Sequence, residues 1–297
     1  MTVLRGLFKA MRPRQWSKNV VLMAAVIFDK QLSLRNPTPL IHTLLGLLLF
    51  CILSSSVYII NDLMDIEADR QHPKKRYRPI ASGQLPKSVA IAAAVVMILV
   101  TLPLAYLLSP LFAWICLGYF LLNLAYTFRL KHIPLLDVLV LATFYVLRVA
   151  GGASIIHVER FSPWLYVVTT LGSLYLGFGK RRAELNLLAA GANAHRRVLE
   201  GYTIPFLDQL ISIVTATTII AYSLYTFSAP NLPENHTMML TIPFVIYGIF
   251  RSLYLIQVQE AGGAPEELFL TDRPLQITIL LYGLAVFIIF YLLPLFP

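Results

Sequence analysis

Residues 44–60 read LLGLLLFCILSSSVYII, without a charge, and residues 61–83 read NDLMDIEADRQHPKKRYRPIASG. The second stretch gathers four acids (Asp62, Asp65, Glu67, Asp69) and five bases (Arg70, Lys74, Lys75, Arg76, Arg78) directly behind the apolar run. The first reads as most of a bilayer-spanning helix, which takes about 20 apolar residues, and the second as its polar end. Asp62, Asp65 and Asp69 are spaced i, i+3, i+7, so on a helix they lie within about 60° of one another. Ser55 and Tyr58 continue the stripe back into the apolar run, whereas Glu67 falls on another side. Three carboxylates on one stripe form a hard, oxygen-only donor set suited to Mg²⁺ rather than zinc. Mg²⁺ ordinarily keeps waters and binds jointly with a phosphate. Lys74, Arg76 and Arg78 are placed to neutralise that phosphate. Acids for a metal beside bases for an anion are what a diphosphate ester requires, since its leaving group gains charge.

The remainder of the chain sets this cluster in a membrane. Of the 297 residues 58% are hydrophobic and 13% charged, an apolar excess that makes lipid the expected solvent. Nine apolar runs predict an all-α integral membrane protein of nine transmembrane helices, over 19–35, 41–63, 88–108, 110–128, 134–156, 163–179, 206–228, 237–257 and 274–295. The first run is interrupted by Asp29 and Lys30. Continuous rather than alternating runs argue against a membrane barrel. Of the 24 Lys and Arg, 20 fall on the side shared by the N-terminal arm (1–18), the loops 64–87, 129–133 and 180–205, and the last loop 258–273 with its flank at Arg251. Lys30, Arg35 and Arg160 lie on the other side, and Arg148 lies within a span. This bias predicts a multi-pass protein of the cytoplasmic membrane, with the N-terminus and the charged loops in the cytoplasm. It accounts for most of the +9 net charge without nucleic acid as a partner. Cys51 and Cys116 both fall inside spans and read as neither disulfide nor metal ligands. No linker or second composition regime appears, so residues 1–297 are expected to form a single membrane domain.

The stretch 61–83 resembles the first aspartate-rich motif, N-D-x-x-D-x-x-x-D, of the UbiA superfamily of intramembrane prenyltransferases, the trailing RPIASG included. The resemblance implies a bundle of nine helices around a lipid-accessible cavity. Mg²⁺ and a diphosphate would be held at its cytoplasmic end by Asn61, Asp62, Asp65 and Asp69. Aromatic prenyltransferases of the superfamily carry a second acidic motif, D-x-x-x-D, after the sixth span. The corresponding stretch here, GFGKRRAELNLLAAGANAHRRVLEGYTIPFLD (177–208), holds Lys180, Arg181, Arg182 and Glu184, then His195, Arg196 and Arg197, with no such pair. A basic lobe binds a phosphate directly, which points to another substrate on the same fold.

RPRQWSKN (12–19), YTFRLKHIPLLDVLVLATFYVLRVAGG (126–152), GKRRAE (179–184) and LTDRP (270–274) resemble one branch of the superfamily, the decaprenyl-phosphate phosphoribosyltransferases. That likeness, from about residue 12 to residue 290, implies Mg²⁺-dependent transfer of 5-phosphoribose from 5-phosphoribosyl 1-diphosphate (PRPP) to a polyprenyl phosphate, with release of diphosphate, in decaprenylphosphoryl-arabinose synthesis for the cell wall. PRPP comes from the resemblance; no composition or spacing names it. On the same reading Lys180, Arg181, Arg182 and Glu184 are candidates for the 5-phosphate or the lipid phosphate. Arg14, Gln15, Lys18 and Asn19 sit where a lipid headgroup meets the membrane surface. Tyr126 and Lys131 match a Y-x-x-x-x-K pattern facing the site, and Lys131 and Asp137 join the aspartates as catalytic candidates. From the residues alone, Asp137 and Arg148 share one helix face about 16 Å apart. A charge near mid-membrane faces the bundle interior, either lining the cavity or in an ion pair.

The chain shows no Ser-His-Asp or Cys-His constellation. An anionic lipid phosphate needs no dedicated general base. Two other readings stand beside this one. One is a prenyltransferase moving a prenyl group from its diphosphate to an aromatic acceptor. The other is a transporter, whose expected Gly/Pro-broken helices in paired halves are not evident. A homo-oligomer is left open.

Overall fold

A computed structural model describes residues 2–33, 35–73, 75–156, 163–189, 197–229, 232–259, 268 and 271–293. Among the described residues every element is helical. The chain packs as two compact units, Met1–Arg129 with Leu147–Glu159, and Leu130–Val146 with Arg160–Pro297.

In the first unit, α1 (Thr2–Ala10) precedes a 3₁₀ segment (Pro13–Met23) and the short α2 (Ala24–Phe28). The 27-residue α3 (Thr38–Met64) leads to α4 (Ile66–Gln71), and α5 (Lys87–Leu108) and α6 (Pro110–Phe128) complete the layer. Ser54, Ser55 and Ser56 lie buried on α3 and return their hydroxyls to carbonyls one turn back, at 2.7–3.0 Å, so each polar group is satisfied within the helix. The turn after α4 is structural. Ile80 and Leu85 are buried with Ile59, Ile66 and Ala10, and Gly83 takes φ +81°, a conformation that suits glycine. Ser109 alone joins α5 to α6. Its hydroxyl accepts from Phe112 N at 3.4 Å and donates to the Ser154 carbonyl at 3.0 Å.

α7 (Leu136–Ile155) gives its first half to the second unit and its end to the first. In the first unit, Gly152 allows the 13–23 segment to approach backbone to backbone. A Cβ there would stand 2.0 Å from the Leu22 carbonyl oxygen.

The second unit continues with α8 (Pro163–Ala189), α9 (Ile204–Ser228), α10 (Ile242–Gln257) and α11 (Arg273–Phe287), the last running on as a π turn over Ile288–Leu292. Val138, Tyr175, Phe178, Leu207 and Ile211 meet in its core. Tyr175 donates to Ser252 at 2.8 Å. The LTDRP stretch is in part a helix start: Asp272 accepts from Leu275 N at 2.9 Å and pairs with Arg251, also at 2.9 Å.

Seven helices of the described residues are long and apolar enough to cross a membrane, in place of the nine runs predicted. The run 19–35 departs from a single helix. Its first residues belong to the 3₁₀ segment that begins at Pro13, α2 follows to Phe28, and the chain turns at Asp29–Lys30, with Lys30 at φ +56°. The predicted 163–179 span is the N-terminal part of the longer α8, whose far end carries Lys180 to Glu184. The helix therefore runs ten residues past the loop start expected at residue 180. An Arg181–Glu184 pair one turn apart keeps the charged stretch helical.

Candidate active site

At the end of α3 the backbone breaks at Asp65 (φ −96°, ψ 12°) and resumes as α4, yet the acid stripe is not dispersed. The amide of Asp65 donates to Asn61 O at 3.0 Å, and that of Asp69 to Asp65 O at 2.8 Å, which preserves the helical phase. Asp62 and Asp69, each with a side chain 3% exposed, meet on one guanidinium. Arg78 Nη1 lies 3.1 Å from Asp62 Oδ1 and 2.7 Å from Asp69 Oδ2. Arg12 closes the group, its Nη2 at 2.5 Å from Asp62 Oδ1 and its guanidinium over the Tyr58 ring at 5.0 Å. Asp65 is half-buried beside them. Asn61 accepts from Thr127 Oγ1 at 2.6 Å, which ties the motif to the end of α6.

Among the described residues no three His, Cys, Asp or Glu side chains are gathered so as to hold a metal ion, and the predicted set Asp62, Asp65 and Asp69 is not brought together as one. The donor chemistry still fits a hard cation such as Mg²⁺, which binds through one or two carboxylates together with waters and phosphate oxygens. Arg76 is exposed and turned onto Tyr77, at 2.7 Å from its hydroxyl. Lys74 lies outside the described residues.

The arm reaches the same end of α3 through a buried polar chain. Trp16 Nε1 donates to Ser55 Oγ at 3.0 Å, and Ser55 Oγ contacts Met11 O at 3.0 Å. Asn19 donates to Ser54 Oγ at 3.1 Å and accepts from Arg148 Nε at 2.8 Å. Arg148 also donates to Tyr119 Oη at 3.0 Å and stacks on the Phe50 and Tyr119 rings. Its buried charge is thus shared with the polar groups of Asn19 and Tyr119 and with the Phe50 and Tyr119 ring faces. Arg14 is exposed, and Gln15 and Lys18 are half-buried.

In the second unit, Asp137 is fully buried and doubly engaged. Arg181 Nε donates to its Oδ2 at 2.6 Å and Tyr202 Oη to its Oδ1 at 2.7 Å. Tyr202 itself accepts from Leu135 N at 2.6 Å. Burial, then the hydrogen bond it gives to Asp137, push the Tyr202 phenol above its ordinary range. Arg181 reaches Glu184 at 2.6 Å through Nη1, and Arg182 holds Asp208 at 2.6 Å and the Ile256 carbonyl at 3.1 Å. Lys180, Lys131 and Tyr126 are half-buried.

A model of the UbiA prenyltransferase family matches residues 21–271. The chain belongs to the UbiA prenyltransferase family. It is 33% identical over 98% of its length to the decaprenyl-phosphate phosphoribosyltransferase of Corynebacterium glutamicum, covering 88% of that protein. Its identity to the Mycobacterium tuberculosis protein of the same name is 34%, over 93% of this chain and 91% of that one. The fold matches a solved UbiA homologue from Archaeoglobus fulgidus bound to DMAPP and Mg²⁺, with a TM-score of 0.72 at 19% identity, over 96% of this chain and 99% of that one.

For this UbiA-family chain the structure brings Asp62 and Asp69 together on Arg78, and Asn19 onto Arg148. It turns Asp137 and Arg181 onto each other in the interior, and holds Arg182 between the part-exposed Asp208 and the buried Ile256 carbonyl. Sequence reasoning counted Arg12 among the arm's positive charges and within RPRQWSKN but gave it no role at the acid cluster; its left-handed backbone (φ 54°, ψ 62°) has no sequence signal in a non-glycine residue. The Tyr202 and Tyr119 contacts were also missed, since long-range partners of a lone tyrosine leave no local pattern.

Proposed function

We propose that the chain transfers 5-phosphoribose from PRPP to a polyprenyl phosphate, with Mg²⁺ as cofactor, and releases diphosphate. The observation that carries this reading is the identity of one third, over nearly the whole chain, to proteins named decaprenyl-phosphate phosphoribosyltransferase. The interleaved acids and bases at the end of α3 supply the chemistry such a substrate needs. Asp62, Asp65 and Asp69 would hold the metal, which when bound supplies positive charge to the leaving diphosphate. Arg78 would neutralise the diphosphate as it gains charge, with Arg76 and Lys74 as the further bases of the motif.

The lipid phosphate is anionic near neutral pH, and its oxygen attacks the anomeric carbon directly. Positioning therefore carries the catalysis, and displacement inverts the α-linked donor to a β-linked product. Arg14, Gln15 and Lys18 meet the lipid headgroup, held in register by the Asn19–Arg148 contact. Lys131, Tyr126 and Lys180 take part in phosphate recognition. The buried Asp137–Arg181 pair, and the contacts of Arg182 with Asp208 and the Ile256 carbonyl, favour a role for these three in fixing the backbone around them. Nine crossings, with the 13–28 segment and α8 joining the seven apolar helices, and a site opening to the cytoplasm complete this reading. The basic-residue bias supports that orientation.

The test is diphosphate release by the purified protein in detergent with Mg²⁺, PRPP and polyprenyl phosphate, alongside Asp65→Asn. Release requiring both substrates, the metal and Asp65 is expected. Turnover of a prenyl diphosphate with an aromatic acceptor, and none with PRPP, would overturn the substrate assignment while leaving the family intact.

A further inference from the structure

We propose that Arg12 and Arg78 couple metal binding to diphosphate binding, by holding the carboxylates of the acid cluster until an anion draws the guanidiniums away. The proposal rests on the reading of Asp62, Asp65 and Asp69 as the metal–diphosphate site. Two buried carboxylates are balanced there by two guanidiniums. Asp62 Oδ1 takes Arg12 at 2.5 Å and Arg78 at 3.1 Å, and Asp69 Oδ2 takes Arg78 at 2.7 Å. A divalent cation seeks these same oxygens. Arriving alone, it displaces charge-assisted hydrogen bonds and sets its charge beside two cations. Arriving with a diphosphate, it brings anionic oxygens that give both guanidiniums new partners, so the exchange leaves no charge unmatched.

Arg12 is placed to make that move. Its side chain is 30% exposed, against 3% for Asp62, so it covers the buried carboxylate from the open side. It forms the junction between α1 and the 13–23 segment, with its backbone at φ 54° and ψ 62°. A long side chain in this left-handed region is held by its surroundings, and such strain gathers at clamps and switches. Tyr58, one turn before Asp62, offers the guanidinium an aromatic face at 5.0 Å along which it can shift without losing every favourable contact. Arg12 is therefore a positioning residue for the site, and the junction it occupies leads directly to Arg14, Gln15 and Lys18.

The test is Mn²⁺ binding, read by electron paramagnetic resonance on the purified full chain in detergent, with and without inorganic pyrophosphate. Protein-bound Mn²⁺ is counted against the Mn²⁺–pyrophosphate complex formed in buffer. Pyrophosphate is expected to tighten Mn²⁺ binding to the unaltered chain by about tenfold or more, within the usual range of site–site coupling, and Mn²⁺ to tighten pyrophosphate by the same factor. Arg12→Gly and Arg12→Gln are expected to bind Mn²⁺ alone about tenfold more tightly and to lose most of the coupling. Glycine relieves the left-handed backbone, so a folding defect does not account for a change seen in both variants. Variants that bind Mn²⁺ no more tightly than the parent, or that keep its coupling, overturn the proposal. Unchanged Mn²⁺ binding in Asp65→Asn would instead overturn the metal-site reading beneath it.

Discussion

Arg181 and Asp137, 44 positions apart, meet inside the second unit with Nε 2.6 Å from Oδ2 and side chains 1% and 0% exposed. Removing Asp137 leaves the buried Arg181 with the Glu184 carboxylate, whereas removing both leaves only the part-exposed Glu184 without this guanidinium. Asp137→Ala is therefore expected to cost about 3–5 kcal/mol, and the double substitution Asp137→Leu with Arg181→Met to recover much of it. Thermal unfolding in detergent reads both. An Asp137→Ala midpoint equal to that of the parent would show that the pair does not hold the unit together.

Tyr202 donates to the other oxygen of Asp137, which gives the pair a pH signature. Burial first, then this hydrogen bond, raise the phenol above the ordinary value of 10.0. A group whose folded-state value is raised lends stability that is complete below its unfolded value and is lost as pH rises toward and through the folded one. The midpoint difference between the parent and Tyr202→Phe should thus be constant below pH about 9 and shrink above about 10. A difference that stays flat to the highest pH the detergent allows would remove the phenol from the network.

The sequence displays membrane helices plainly because burial in lipid demands runs near twenty apolar residues, and most predicted boundaries lie within a few residues of the observed ones. It failed at 19–35, where a 3₁₀ segment begun at Pro13 runs through Asn19 and the chain turns at Asp29–Lys30, and at α8, where charged residues extend a helix that composition alone would end. The acid stripe was legible from spacing, since Asp62 and Asp69 differ by two helical turns. The inward turn of Arg181 was not. A guanidinium reads as basic wherever it points, and its partner Asp137 lies on another helix. Arg12 was hidden for a similar reason, its meaning residing in a backbone angle.

Arg78 bridges two carboxylates through a single nitrogen, so its loss leaves Asp69 and Asp62 facing one another. Arg78→Ala is expected to cost about 1–3 kcal/mol of stability, the usual penalty for a buried acceptor left unsatisfied. It is also expected to lower diphosphate release by about 10²–10³, as for loss of one donor to a developing anion. Arg78→Lys, which keeps a charged donor near the position of Nη1, should recover more of the stability than of the turnover. Thermal midpoints and diphosphate release measured on the same preparations separate the two effects.

Gly152 and Gly172 provide a matched test of the backbone approach in the first unit. A Cβ on Gly152 would meet the Leu22 carbonyl oxygen at 2.0 Å and its carbon at 3.0 Å, whereas one on Gly172 would meet nothing within 4 Å. Backbone atoms cannot rotate aside, so Gly152→Ala must displace the 13–23 segment, at an expected cost of about 1–3 kcal/mol. Gly172→Ala lies within α8 and gains the roughly 1 kcal/mol by which alanine exceeds glycine as a helix former. Unfolding midpoints should therefore move in opposite directions. The same displacement would carry Asn19 away from Arg148, a contact of 2.8 Å. Gly152→Ala is thus expected to raise the KM for polyprenyl phosphate, and Gly172→Ala to leave it unchanged. Equal KM values for the two variants would separate the segment's packing from headgroup recognition.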